Sequence, residues 1–142
     1  MSLDMVKRPL KVVLDTNILV SAIVFGGKPR QILSLVLEQK IQAIISPVLL
    51  TELVEILTKK FLMSSNDLRL IEKQIRDKFT IVQPKKIIKV LKDEPDNRVL
   101  EAALTGNCQC IITGDRELLV LSVFKEIKIV TAGQFLEETS SL

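Results

Sequence analysis

Histidine, tyrosine and tryptophan are all missing from this 142-residue chain, and cysteine occurs only twice. Without histidine a structural zinc site runs short of ligands, since Cys108 and Cys110 offer only two. These cysteines stand two apart at the edge of an apolar stretch, where successive strand side chains point to opposite faces. They read as small buried hydrophobes or as a thiol pair. With no Tyr or Trp and five Phe, an aromatic platform for stacking bases is not expected. Long apolar runs are lacking too. The longest, residues 18–25, is broken by Ser21 and is far too short to span a bilayer. No membrane partner is expected. No basic-then-apolar leader opens the chain, so a cytoplasmic location is expected. A glycine-rich nucleotide loop is also missing.

What is present describes a globular chain: 47% apolar and 26% charged residues. The length suits one domain, residues 1–142, able to bury most of its surface. Residues 1–9, with a second methionine at Met5, are expected to be a disordered or cloning-derived start. The net charge of +3 is small, but basic residues cluster at Lys28 and Arg30, at Lys59 and Lys60, and at Lys85, Lys86, Lys89 and Lys92. Such clusters are solvated faces or contacts for phosphates; the balance permits a nucleic-acid partner without arguing for one.

Short Val/Ile/Leu strands are predicted at 11–14, 42–45, 79–82, 110–113 and 127–130. Between them, helices are predicted at 18–25, from Pro29 to about 40, from Pro47 to about 60, and to about 78 behind caps at Ser65, Asn66 or Asp67. Another is capped by Asp96 and ends at Gly106; a short one follows Asp115, and a last one starts near Ala132. Strands alternating with helices imply an α/β fold, a parallel sheet covered on both faces.

Asp15, Glu52, Asp96 and Asp115 each fall where a strand ends or a helix begins. In a parallel sheet the carboxyl ends of the strands open onto one face, where ligands bind. Taken singly, the three aspartates read as helix caps, and Glu52 as a solvated flank of its helix. Taken together, carboxylates gathered at one pole repel one another unless a cation lies between them. Oxygen-only donors suit Mg²⁺ or Mn²⁺, and such ions assist phosphodiester chemistry without a histidine or a protein nucleophile. Asn17 and Thr113 are polar neighbours that either support this site or make local turn bonds.

The stretch Val12-Val13-Leu14-Asp15-Thr16-Asn17-Ile18-Leu19-Val20-Ser21-Ala22 resembles the opening motif of PIN-domain nucleases. Pro47-Val48-Leu49-Leu50-Thr51-Glu52-Leu53 is similar to their second-acid helix, and Asp96-Asn97-Arg98-Val99-Leu100-Glu101-Ala102-Ala103 to their third. Ile111-Ile112-Thr113-Gly114-Asp115 with Glu117-Leu118-Leu119 resembles the fourth. The match runs from about residue 10 to 137, and within the family it looks toward VapC-type toxins of toxin–antitoxin pairs. The resemblance implies a three-layer α/β/α fold with a five-stranded parallel sheet ordered 3-2-1-4-5. It further implies a Mg²⁺- or Mn²⁺-dependent endoribonuclease acting on RNA phosphodiesters, with Asp15, Glu52, Asp96 and Asp115 as catalytic metal ligands. A homodimer and a small antitoxin partner belong to the same expectation. Asp93 competes with Asp96 for the third acid; Asp96 is preferred because it begins the helix whose Val99, Leu100 and Ala103 face inward. Arg98, Arg116, Lys28 and Arg30 are candidate RNA contacts or solvated charges.

Two alternatives stand beside this reading. One is a non-catalytic PIN scaffold binding RNA or a protein partner. The other is a haloacid-dehalogenase-like phosphatase, whose chemistry wants a second Asp two residues after the first, where this chain has Asn17.

Overall fold

The computed structural model describes residues 9–140, so the expected disordered start lies, save Pro9, outside the described residues. In chain order the elements are β1 (Lys11–Leu14), α1 (Thr16–Val24), α2 (Gly27–Leu37), β2 (Gln42–Ile45), α3 (Pro47–Lys59), α4 (Ser65–Lys78) and β3 (Thr80–Ile81). They continue with α5 (Glu94–Thr105), β4 (Cys110–Ile112), α6 (Arg116–Leu121), β5 (Val123–Phe124), β6 (Ile127–Val130) and α7 (Ala132–Glu138).

The sheet runs β3-β2-β1-β4-β6-β5. Every pairing from β3 to β6 is parallel, in registers such as Val12↔Ala43, Val12↔Cys110 and Cys110↔Lys128. Those five strands have the anticipated order. The sixth, β5, is an addition: it pairs antiparallel with β6, Val123 opposite Lys128. It is two residues long, and its turn places Lys125 and Glu126 at φ 47° and 72°. Glycine or asparagine usually marks such a turn; here neither does, so the sequence carried no signal for the hairpin.

Because the parallel strands are covered on both faces, their residues are almost uniformly buried, from Val12 and Val13 to Ile111 and Ile112. Right-handed crossovers put α1–α4 on one face and send α5 and α6 to the other. There α5 packs across β1, β2 and β4. That fit needs Gly106 at the end of α5: a Cβ there would stand 2.7 Å from Ile44 Cγ2. The glycine serves close approach rather than a left-handed turn, which falls to Asn107 at φ 53°.

Helices α1 and α2 meet at 97° and give Ile18, Leu19, Val20, Ile32 and Val36 to the core. No single helix among the described residues is long and apolar enough to cross a membrane. Helix α2 starts at Gly27, two residues before the expected Pro29, and α4 is capped by Ser64 rather than by Ser65, Asn66 or Asp67.

Residues 82–93 form a strap over α5. Asn97 secures it twice, accepting from Leu91 N–H (2.9 Å) and donating to Leu91 C=O (2.8 Å). Ile88 N–H donates to Glu101 Oε2 (2.9 Å), and Arg98 joins Glu101 at 2.8 Å. Asn97 is fully buried, so these two bonds to Leu91 offset its desolvation.

Candidate active site

The carboxyl ends of the central strands carry the first acids. Asp15 N–H extends the ladder to Ile112 C=O (3.0 Å), and Thr113 N–H reaches Val130 C=O (3.0 Å). Backbone pairing therefore fixes Asp15 and Thr113 side by side. Asp15 stands at the cap position of α1, yet its side chain makes no capping bond. Instead Thr113 Oγ1 donates to Asp15 Oδ2 at 2.7 Å. The same Oγ1 accepts from Asp115 N–H at 2.9 Å. Asp115 does cap its helix: Oδ1 accepts from Glu117 N–H (2.9 Å) and Leu118 N–H (3.3 Å).

Asp96 arrives from the opposite layer. Helix α5 starts at Glu94 behind Asp93, so Asp96 is its third residue and does not cap it, contrary to the sequence expectation. Pro95 at the second helical position suits this earlier start, because proline there forfeits no helical bond. The Asp96 side chain is 6% exposed. Its buried Oδ2 has no hydrogen-bond partner among the described residues.

Electrostatics tie the acids together. Burial pushes the Asp96 carboxyl up from 3.8 to about 7; the charges of Asp115, Asp93 and Asp15 push the same way, as does its hydrogen bond with Asp115. Asp15, 5% exposed, is raised by burial, by Asp115 and by Glu52, against lowering hydrogen bonds from Thr113 and Thr16. Asp115 thus acts on both Asp15 and Asp96. Glu52, half-buried on the second turn of α3, is felt by Asp15 as the smallest of these influences.

Two acids join that were not assigned in advance. Carboxylate oxygens of Asp93, Asp96 and Glu117 lie within 4.8 Å of one another. Asp93, the sequence's rival to Asp96 for the third acid, lies at the same place as Asp96. Glu117 had no assigned role, although its position two residues beyond Asp115, in the first turn of α6, was the available signal.

The supporting residues divide. Thr113 touches Asp15, whereas Asn17 is exposed on α1 with no side-chain hydrogen bond to the acids among the described residues. Arg30 donates to Ala22 C=O (2.8 Å) and Ile23 C=O (3.1 Å), closing the end of α1. Arg98 is half-buried between Glu94 and Glu101 and donates to Ile88 C=O. Both guanidinium groups thus have partners within the fold, Arg30 while remaining exposed and Arg98 while half-buried. Lys28 and Arg116 are exposed, the former beside Gly133 in the first turn of α7.

Do these residues suit a metal ion? The donors are all carboxylate and hydroxyl oxygens, the preference of a hard divalent cation. Asp96 Oδ2 is buried without a partner, as is Thr16 Oγ1, next to Asp15 in the chain, a want that an oxygen-seeking cation would meet. The set fits. A separate cavity of about 610 Å³, lined in part by Leu10, Cys108, Cys110 and Lys128, opens at the amino ends of β4 and β6, away from the acids.

Comparison with known proteins agrees with the fold. A family model described as the PIN domain matches residues 11–117. An uncharacterised protein of Methanocaldococcus jannaschii is 31% identical, with 94% of each chain covered. The crystal structure of VapBC2 from Rickettsia felis, bound to a DNA fragment from their promoter, superposes with a TM-score of 0.59 at 15% identity, covering 86% of this chain and 98% of that one. PAE2754 from Pyrobaculum aerophilum superposes at 0.60 with 14% identity, over 94% of this chain and 91% of its own.

Proposed function

The chain belongs to the PIN-domain family, and on that footing we propose that it is a metal-dependent endoribonuclease, the toxin of a toxin–antitoxin pair. The observation that carries the enzymatic reading is the gathering of the Asp93, Asp96 and Glu117 carboxylates within 4.8 Å of one another, with one Asp96 oxygen buried without a partner and the charges of Asp15 and Asp115 bearing on Asp96. Asp96, Asp15 and Asp115 would hold Mg²⁺ or Mn²⁺, Asp93 and Glu117 stand close enough to Asp96 to share in holding it, and Glu52 is the more distant fourth acid. When bound, such an ion lowers the pKa of an attacking water and offsets charge building on the leaving oxygen of a phosphodiester. Thr113 holds Asp15 in one orientation while fixing the Asp115 backbone. Asp115 gives Oδ1 to the helix, and its Oδ2 would serve as the ligand. Arg116, exposed at the first position of α6, would meet the substrate's phosphates.

The toxin role rests on the likeness of the motifs to VapC-type toxins and on the fold shared with VapBC2. A homodimer, a small antitoxin and a cytoplasmic location belong to the same proposal, as does a single domain across the chain.

The test is RNA cleavage with Mn²⁺ or Mg²⁺, with and without EDTA, by the wild type and by Asp15→Asn. Cleavage is expected only with metal, and should fall at least about 100-fold in Asp15→Asn. Equal metal-dependent cleavage by the variant would expose a contaminating nuclease. Hydrolysis of small phosphomonoesters with RNA left intact would favour the phosphatase, and metal binding without cleavage would favour the non-catalytic scaffold.

A further inference from the structure

A cleft of about 430 Å³ adjoins the acids and shares a wall with them. It is lined by Leu91, Arg116, Glu117, Val120 and Leu121. Glu117 is the link, because its carboxylate also meets Asp93 and Asp96. Apart from Arg116 the other walls are aliphatic, and Val120, 76% exposed, presents its side chain to the cleft mouth.

Both sides of the cleft are anchored to the acidic site. Val120 and Leu121 ride on α6, whose first turn is capped by Asp115. Leu91 lies on the strap and is pinned through both backbone groups by Asn97, the residue after Asp96. The distance from cleft to acids is therefore set by the same elements that set the acids. Arg116 adds a cation at the mouth, and Glu117 a hydrogen-bond acceptor at the inner edge.

We propose that this cleft seats the base of the nucleotide next to the scissile phosphate, an inference that rests on the RNA-cleaving function above. A base is a flat apolar plate with a polar rim. Leu91, Val120 and Leu121 would pack against its faces, Glu117 would accept from an exocyclic amine, and Arg116 would meet the adjoining phosphate. The chain has no Tyr or Trp to stack a base, so an aliphatic clamp beside the acids takes over that work. An amine-bearing base, adenine, cytosine or guanine, is favoured over uracil, since these bring an exocyclic NH₂ to Glu117 where uracil offers only its ring N3–H.

The experiment uses the full chain and short single-stranded RNAs differing in the nucleotide on either side of the cut. Val120→Asp places a negative charge in the cleft. It should raise KM roughly tenfold, leave kcat within about twofold and flatten the preference among bases. Leu70→Asp, an equal change on exposed α4, should behave as wild type. Unchanged KM and base preference in a folded Val120→Asp would overturn the proposal; if that variant fails to fold, Val120→Thr takes its place with a smaller rise expected. Independently, adenosine or cytidine monophosphate should shift the methyl NMR signals of Leu91, Val120 and Leu121 in the wild type. No shift at millimolar nucleotide overturns the base seat. Methyl shifts without RNA cleavage would instead retain the seat and remove the nuclease.

Discussion

Thr113 is the smallest residue on which the site turns. One hydroxyl donates to Asp15 and accepts from the Asp115 backbone, so Thr113→Val keeps the shape and loses both bonds. Loss of such a supporting contact costs about 10- to 100-fold in metal affinity; calorimetric titration with Mn²⁺ checks it. Asp96 makes the converse case. Its carboxyl is raised to about 7 from 3.8, so the folded metal-free protein binds that proton more tightly than the unfolded chain. Stability from this group is intact below about pH 4, declines as pH rises to about 7 and is constant above. Asp96→Asn removes the decline. In EDTA the variant should melt a few degrees above wild type at pH 8, with the gap closing towards pH 4, while its Mn²⁺ affinity falls. The cysteines settle as hydrophobes rather than a working thiol pair: burial pushes both thiols up to about 12. A thiol reagent at pH 8 should leave the native chain untouched and find both cysteines once it is denatured.

Among elements, α5 and its strap decide the most. The acids of α5 converge because the strap is tied down by Asn97, Arg98 and Glu101. Asn97→Ala deletes both bonds to Leu91 and leaves those backbone groups wanting, a loss of about 2–3 kcal/mol that urea denaturation would measure. Faster amide exchange should follow at Leu91. Gly106→Ala tests the other end of the helix, where the new methyl meets Ile44; overpacking there costs about 1–3 kcal/mol, visible as a lower Tm. The helix itself was legible from its apolar spacing. Its true start was not, because Asp93, Glu94 and Asp96 all suit a first turn and only packing chose among them. The hairpin at β5 escaped for the opposite reason: two residues and an unmarked turn carry no periodicity to read.

For the whole molecule, a cation that relieves the clustered acids should stabilise the native state. At 100 times its dissociation constant, Mn²⁺ should add about 2.7 kcal/mol, seen as a rise in Tm that EDTA reverses and that Asp15→Asn diminishes. The sequence by itself determined the alternation of strands and helices, and with it the pole at which Asp15, Glu52, Asp96 and Asp115 emerge. Local apolar patterning and the handedness of crossovers are enough for that. Which carboxylates meet was decided only by the tertiary structure. Thr113 finds Asp15 across 98 positions of chain, Asp93 and Glu117 converge on Asp96, Arg98 pairs with Glu101 beneath the strap, and Arg30 closes the end of α1. Such meetings depend on strand register and helix docking between distant segments, and no local spacing encodes them.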